Sequence, residues 1–115
     1  MLIGVPKETK DHEFRVGVTP AGVHALVAAG HEVQVQTNAG AAIGLFDAEY
    51  ASAGARIVAD AQAVYACPLI VKVKEPLPAE LAWLHEDQVL FCYFHLAASL
   101  AYSASNKPMA APALV

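Results

Sequence analysis

Basic charge is scarce in this 115-residue chain: 7 Lys and Arg stand against 11 Asp and Glu, giving a formal net charge of −4. No basic field is available to hold a nucleic-acid backbone, so nucleic acid is not an expected partner. Cysteine is sparse as well. Cys67 and Cys92 have neither metal-ligand spacing nor a secretory context, and both are read as reduced thiols serving as small buried hydrophobes. His12, His24, His31 and His85 contain no pair at helical ligand spacing, and no metal site is predicted. The longest apolar run, residues 89–102, is broken by His95 and is shorter than the roughly 20 residues a membrane helix needs. The first dozen residues carry Lys7, Glu8, Lys10 and Asp11 in place of an apolar signal core, which predicts a cytoplasmic protein. Gly40-Ala41-Ala42-Ile43-Gly44 follows a strand but matches neither G-x-G-x-x-G nor the P-loop spacing, so it is read as a turn.

What is present is an apolar chain, 57% hydrophobic, long enough for one domain with a core and too short for two. Strands and helices alternate along it. Residues 2–5 form a short apolar strand, then comes a polar loop, then a helix capped by Thr19, with Pro20 at its first position and Gly30 as its stop. Residues 32–36 alternate Val33 and Val35 with polar neighbours, as a strand does. Asp47 is placed to cap a short helix over 48–53 that Gly54 ends, and residues 56–58 are extended. Asp60 caps a brief helix through Tyr65. Residues 69–73, bounded by Pro68 and Pro76, read as a strand, residues 80–84 as a helical turn, and residues 88–93 as a further strand. This order predicts the α/β class: a three-layer, Rossmann-like domain whose mostly parallel sheet is flanked by helices, incomplete at its C-terminal end.

Charged side chains stand where the apolar strands give out. Arg15 lies in the loop after the first strand, Lys74 at the end of Lys72-Val73-Lys74-Glu75-Pro76, and His95 after Phe94. Ligands of open parallel sheets bind outside the carboxyl ends of the strands, so Arg15, Lys74 and His95 are candidates to converge on one small anion. Each residue also has a plainer explanation. Arg15 can be solvated or salt-bridged, Lys74 can block an exposed strand edge, and His95 can be a core histidine bonded to backbone.

Five stretches, in order and spacing, carry a family resemblance. They are Ile3-Gly4-Val5-Pro6-Lys7-Glu8-Thr9-Lys10, Glu13-Phe14-Arg15-Val16-Gly17-Val18-Thr19-Pro20-Ala21-Gly22-Val23, Gly30-His31-Glu32-Val33, Lys72-Val73-Lys74-Glu75-Pro76 and Phe94-His95-Leu96-Ala97-Ala98. Residues 1–99 resemble the N-terminal, substrate-binding part of the alanine dehydrogenases, within the wider group that includes the first domain of nicotinamide nucleotide transhydrogenase. Phe94-His95-Leu96-Ala97 favours the dehydrogenase branch. The resemblance implies oxidation of L-alanine to pyruvate and ammonia with NAD as hydride acceptor. It implies Arg15 and Lys74 as substrate-binding residues and His95 as the catalytic acid and base. A planar guanidinium fork suits a carboxylate, an ammonium supplies a compact charge, and an imidazole trades protons near neutral pH.

The resemblance further implies that NAD is bound by a separate domain, absent from these 115 residues, so that no cofactor-binding residue is assigned here. Residues 100–115 depart from the family pattern through Ser103-Ala104-Ser105-Asn106-Lys107-Pro108 and are expected to form a poorly structured tail, as in a truncated or frame-shifted product or a fragment. Expected partners are L-alanine or pyruvate, a separate NAD-binding chain and further copies of this one. The alternatives left open are an inactive remnant, a small carboxylate-binding module, and the first domain of a transhydrogenase subunit, the last opposed by His95. An uncovered sheet edge or apolar face is also expected.

Overall fold

Apolar, β-branched runs form the strands of the chain, and short capped helices connect them. The strands β1 (Leu2–Val5), β2 (Glu32–Gln36), β3 (Arg56–Val58), β4 (Leu69–Lys74) and β5 (Val89–Tyr93) are joined by α1 (Pro20–Ala28), α2 (Asp47–Ser52), α3 (Ala61–Tyr65) and α4 (Pro78–Leu81). The computed structural model describes residues 1–94 and 113–114, where β6 (Ala113–Leu114) pairs with β5. The other residues of the predicted tail lie outside the described ones. All pairings are parallel, in the order β3-β2-β1-β4-β5-β6.

That order fixes where a ligand site can form. The chain winds outward from β1 through β2 to β3, then crosses to β4 on the other side of β1, so the winding direction reverses between β1 and β4. Ligands of doubly wound sheets bind outside the carboxyl ends of the strands at such a reversal. The β1–β4 ladder is short, pairing Ile3 with Leu69 and Gly4 with Ile70, and beyond Gly4 the two strands are not paired to each other.

Side-chain alternation builds a layer on each face of the sheet. Ile3, Val5, Val33 and Val35 pack with Val23 of α1 and Tyr50 of α2, while Ile70 and Leu90 pack with Tyr65 of α3 and with Cys67. Gly4 shows how closely α3 lies on β1, because a Cβ there would stand 2.5 Å from the Val64 carbonyl oxygen. The buried Gln88 amide joins the end of α3 to the start of β5 by donating to the Tyr65 and Cys67 carbonyls at 2.6 and 2.9 Å. The expected three-layer α/β arrangement is therefore present.

Local signals account for most element ends. Thr19 Oγ1 accepts from Gly22 N at 3.1 Å, with Pro20 at the first turn of α1, and Asp60 Oδ1 accepts from Gln62 N at 3.0 Å. Two helix starts differ from the sequence reading. Asp47 does not cap α2: its carboxylate accepts from Thr37 Oγ1 at 2.6 Å and Asn38 N at 2.9 Å, and Glu49 closes the helix start by accepting from Phe46 N at 2.8 Å. The donors of the turn after β2 take the Asp47 carboxylate. The expected turn over 80–84 begins earlier, because Pro78 presets the first helical φ and Glu80 accepts from Leu77 N at 2.7 Å. Cys67 is buried, as expected, whereas Cys92 is only half-buried. Burial pushes the Cys67 thiol up and the Cys92 thiol up to about 11.

On β5, Phe91 and Tyr93 alternate outward and are exposed among the described residues. The loop between β1 and α1 is seated on β4 at Gly17, where a Cβ would lie 2.6 Å from the Val71 carbonyl oxygen. Gly17→Ala should therefore lower the unfolding free energy by about 1–3 kcal/mol in urea denaturation. An unchanged midpoint would mean that the loop does not rest there.

Candidate functional site at the β1–β4 crevice

The period-2 pattern of β4 puts Lys72 on the same face as the fully buried Ile70. A buried ammonium requires partners, and Lys72 has them: Nζ donates to Glu8 Oε1 at 3.1 Å and to the Lys74 carbonyl at 2.6 Å. The two side chains are 2% and 1% exposed, so the pair is dry. Glu8 also accepts from Val73 N through Oε2 and from Lys74 N through Oε1, both at 3.0 Å. Consecutive amides of a regular strand point to opposite sides, so one carboxylate can take both only where the strand is irregular. The β4–β5 register indeed shifts between Val71 and Lys74. Glu8, from the loop after β1, thus satisfies β4 where β1 no longer pairs with it.

This fastening brings the far end of the loop over Lys74. Residues 10–15 and Lys74 line an open cavity of about 340 Å³ outside the carboxyl end of β4. Lys10 closes one side through an ion pair with Glu75. Arg15 is held by Glu13. Oε2 accepts from Arg15 N at 3.0 Å and from Nε at 2.9 Å, and Oε1 accepts from Nη2 at 2.7 Å. The Glu13 side chain is 5% exposed and that of Arg15 62%, so the guanidinium reaches into the open space from a buried anchor. The hydrogen bond from Arg15 holds the Glu13 carboxyl down at about 2, with the charge of Lys74 adding to the effect. Glu13 in turn raises the Arg15 guanidinium above its ordinary value.

Arg15 and Lys74, singled out in the sequence, therefore line one cavity. His95 lies outside the described residues. Arg15 is salt-bridged, as its plainer explanation held, and it lines the cavity as well. Lys74 does not guard a sheet edge, because β4 lies between β1 and β5 and Lys74 pairs with Tyr93. Reading the sequence for sites missed Glu8, Glu13 and Lys72. Lys72 carried a signal, since alternation in Leu69-Ile70-Val71-Lys72 places it with Ile70 on a buried face. Glu8 carried none, because the strand it fastens lies more than sixty residues away in the chain.

The turns at the strand ends do not fit a dinucleotide phosphate. Glu8 takes the amides of Val73 and Lys74, Gln36 takes that of Lys7, and Asp47 takes that of Asn38. Gly40 is packed against Leu45, whose carbonyl oxygen would lie 2.7 Å from a Cβ there. The protein's own side chains occupy donors that would otherwise cradle a phosphate. No helix among the described residues is long and apolar enough to cross a membrane.

Two measurements probe this geometry. Glu8→Ala strands the buried Lys72 ammonium and should cost about 3–5 kcal/mol of stability in chemical denaturation; a change within 0.5 kcal/mol of zero, roughly the level of a surface substitution, would contradict the fastening. Glu13, whose folded value is depressed from 4.5 to about 2, contributes stability that is present above pH 4.5 and is lost as pH falls toward 2. Its carboxyl carbon resonance should stay constant from pH 6 to about pH 3.5, and should titrate in the ordinary carboxylate range in Arg15→Ala.

Known proteins resemble this chain in sequence and in fold. The family model described as alanine dehydrogenase/PNT, N-terminal domain, matches residues 4–111. An alanine dehydrogenase of Bilophila wadsworthia is 53% identical over 97 residues, covering 84% of this chain and 26% of that relative. Alanine dehydrogenase 2 of Staphylococcus aureus is 50% identical over the same length and the same shares. The chain thus spans about a quarter of the length of these curated relatives. A solved L-alanine dehydrogenase superposes with a TM-score of 0.84 at 52% identity, covering 86% of this chain and 27% of that one. A transhydrogenase from Sinorhizobium meliloti superposes with a TM-score of 0.82 at 26% identity, covering 88% and 30%. The sequence, the strand order and these likenesses agree, and the chain belongs to the alanine dehydrogenase/PNT N-terminal domain family.

Proposed function

We infer that this chain is the substrate-binding part of an NAD-dependent L-alanine dehydrogenase, an oxidoreductase that converts L-alanine, NAD and water to pyruvate, ammonium, NADH and a proton. The observation that carries the reading is the cavity at the winding reversal, where Arg15 and Lys74 meet from separate parts of the chain. Identity of 52% to the dehydrogenase structure, against 26% to the transhydrogenase, favours the dehydrogenase branch.

In this reading Arg15 pairs its fork with the substrate carboxylate, and Lys74 sets a positive charge beside the polar group on the neighbouring carbon. His95, whose role rests on the family resemblance alone, passes a proton to and from the substrate oxygen or the attacking water. NAD, bound on a domain beyond these residues, supplies the hydride acceptor. Whether that domain belongs to a longer chain or to a partner, the residues described here bind and orient the substrate. A second reading is a carboxylate-binding module without catalysis; the misfit between the strand-end turns and a dinucleotide is common to both readings, because the first places NAD on another domain. Both readings use the same anion site.

The test is a pyruvate titration of the 115-residue chain followed by ¹H–¹⁵N NMR, with Arg15→Ala as control. Saturable shifts at residues 10–15 and 74 are expected, with affinity at least about tenfold weaker in the variant, as for loss of a charge-assisted hydrogen bond. A well-dispersed spectrum without saturable shifts would contradict the reading.

A further inference from the structure

The cavity raises a question that a carboxylate site alone leaves open, because it contains a carboxylate of its own. Glu13 lines the same space as Arg15 and Lys74, and an anion beside an anion site ordinarily weakens it. Whatever the pair adds to the fold does not explain why its mostly exposed guanidinium stands in the cavity.

The bonding pattern gives Glu13 a different task. A guanidinium has five N–H donors arranged as two forks, one along the Nε–Nη2 side and one across the Nη1–Nη2 end. Glu13 takes the side fork, with Nε on Oε2 and Nη2 on Oε1. Among the described residues nothing else takes the end fork, which can serve a second carboxylate. Oε2 also accepts from Arg15 N, so a single buried carboxylate fixes the backbone and the side chain of the same residue. An unheld arginine would lose about 2 kcal/mol of rotamer entropy on gripping a ligand, and prior fixation removes that loss from the binding step.

We propose that Glu13 is the positioning residue of the site, holding the side fork of Arg15 so that its end fork is presented to the carboxylate of a small 2-oxo or 2-amino acid. This rests on the reading of the cavity as a substrate carboxylate site. The opposite possibility is a competitor, in which Glu13 must release Arg15 before a ligand can bind. The two give affinity changes of opposite sign when Glu13 is neutralised.

The experiment is a titration of wild type, Arg15→Ala, Glu13→Gln and Glu13→Asp with pyruvate and with pyruvamide, which replaces the carboxylate by a neutral amide. Spectral dispersion in the same NMR experiment reports the fold of each variant. Wild type should prefer pyruvate over pyruvamide. Glu13→Gln should weaken pyruvate by about tenfold while changing pyruvamide little, so that the preference falls toward one. A role in folding alone would weaken both ligands together, and that result would overturn the proposal. Glu13→Asp keeps the charge but shortens the reach by one carbon, and should fall between wild type and Gln; it carries the test if Glu13→Gln does not fold. Equal or tighter pyruvate binding in whichever of these variants is folded would make Glu13 a bystander or a competitor and would overturn the proposal. Loss of binding in Arg15→Ala with unchanged binding in the Glu13 variants overturns this inference alone. Absence of pyruvate binding in folded wild type overturns the site and this inference with it.

Discussion

The Glu8 carboxylate is the constraint on which the candidate site depends. β1 and β4 are paired from Ile3 and Leu69 only as far as Gly4 and Ile70, and beyond that point β4 needs a partner for its amides on that side. Glu8 supplies that partner from the loop after β1, meeting Val73 N, Lys74 N and the buried Lys72 ammonium with one side chain. A buried ion pair adds little net stability relative to apolar residues of equal volume, but its geometry is demanding. The result here is a loop that can sit on β4 in one way. Gly17 reinforces it from the far side, where the loop backbone rests against the Val71 carbonyl.

Once the loop is fixed, charge is distributed in layers. Lys72 is spent inside the fold, Lys10 on the flank with Glu75, and Arg15 and Lys74 reach the open cavity. Asp11 and Glu13 line the same cavity, so its field is not simply positive. What the cavity offers a ligand then depends less on net charge than on which donors point into the space. The amides of Lys7, Asn38, Val73 and Lys74 are taken by the protein's own carboxylates and by Gln36, which leaves them unable to cradle a nucleotide phosphate.

Much of the fold was legible in the sequence because the signals are local. Thr19-Pro20 starts α1 and Asp60 starts α3 where cap chemistry places them, and the β-branched run Leu69-Ile70-Val71 forms a strand. Asp47 and Glu80 show the limit of such reasoning. Each carboxylate was won by a donor outside the reading: Thr37 and Asn38 for Asp47, Tyr65 Oη and Leu77 N for Glu80. The site was legible in part. Arg15 and Lys74 stand out as charges at strand ends, whereas Glu8 and Glu13 look like ordinary surface acids until the partners they hold are seen in space. No periodicity encodes a contact between residue 8 and residues 72–74. The strand order that makes it, with β4 beside β1, is a property of the whole chain.

Hydrogen exchange at two amides tests this account most directly. If Glu8 caps the end of β4, the Val73 and Lys74 amides should exchange as slowly as those in the middle of β4, and should become fast in Glu8→Gln while the Ile70 amide stays protected. Fast exchange of Val73 and Lys74 in the wild-type chain would mean that the loop is not fastened to β4, and that Arg15 and Lys74 are not held over one cavity.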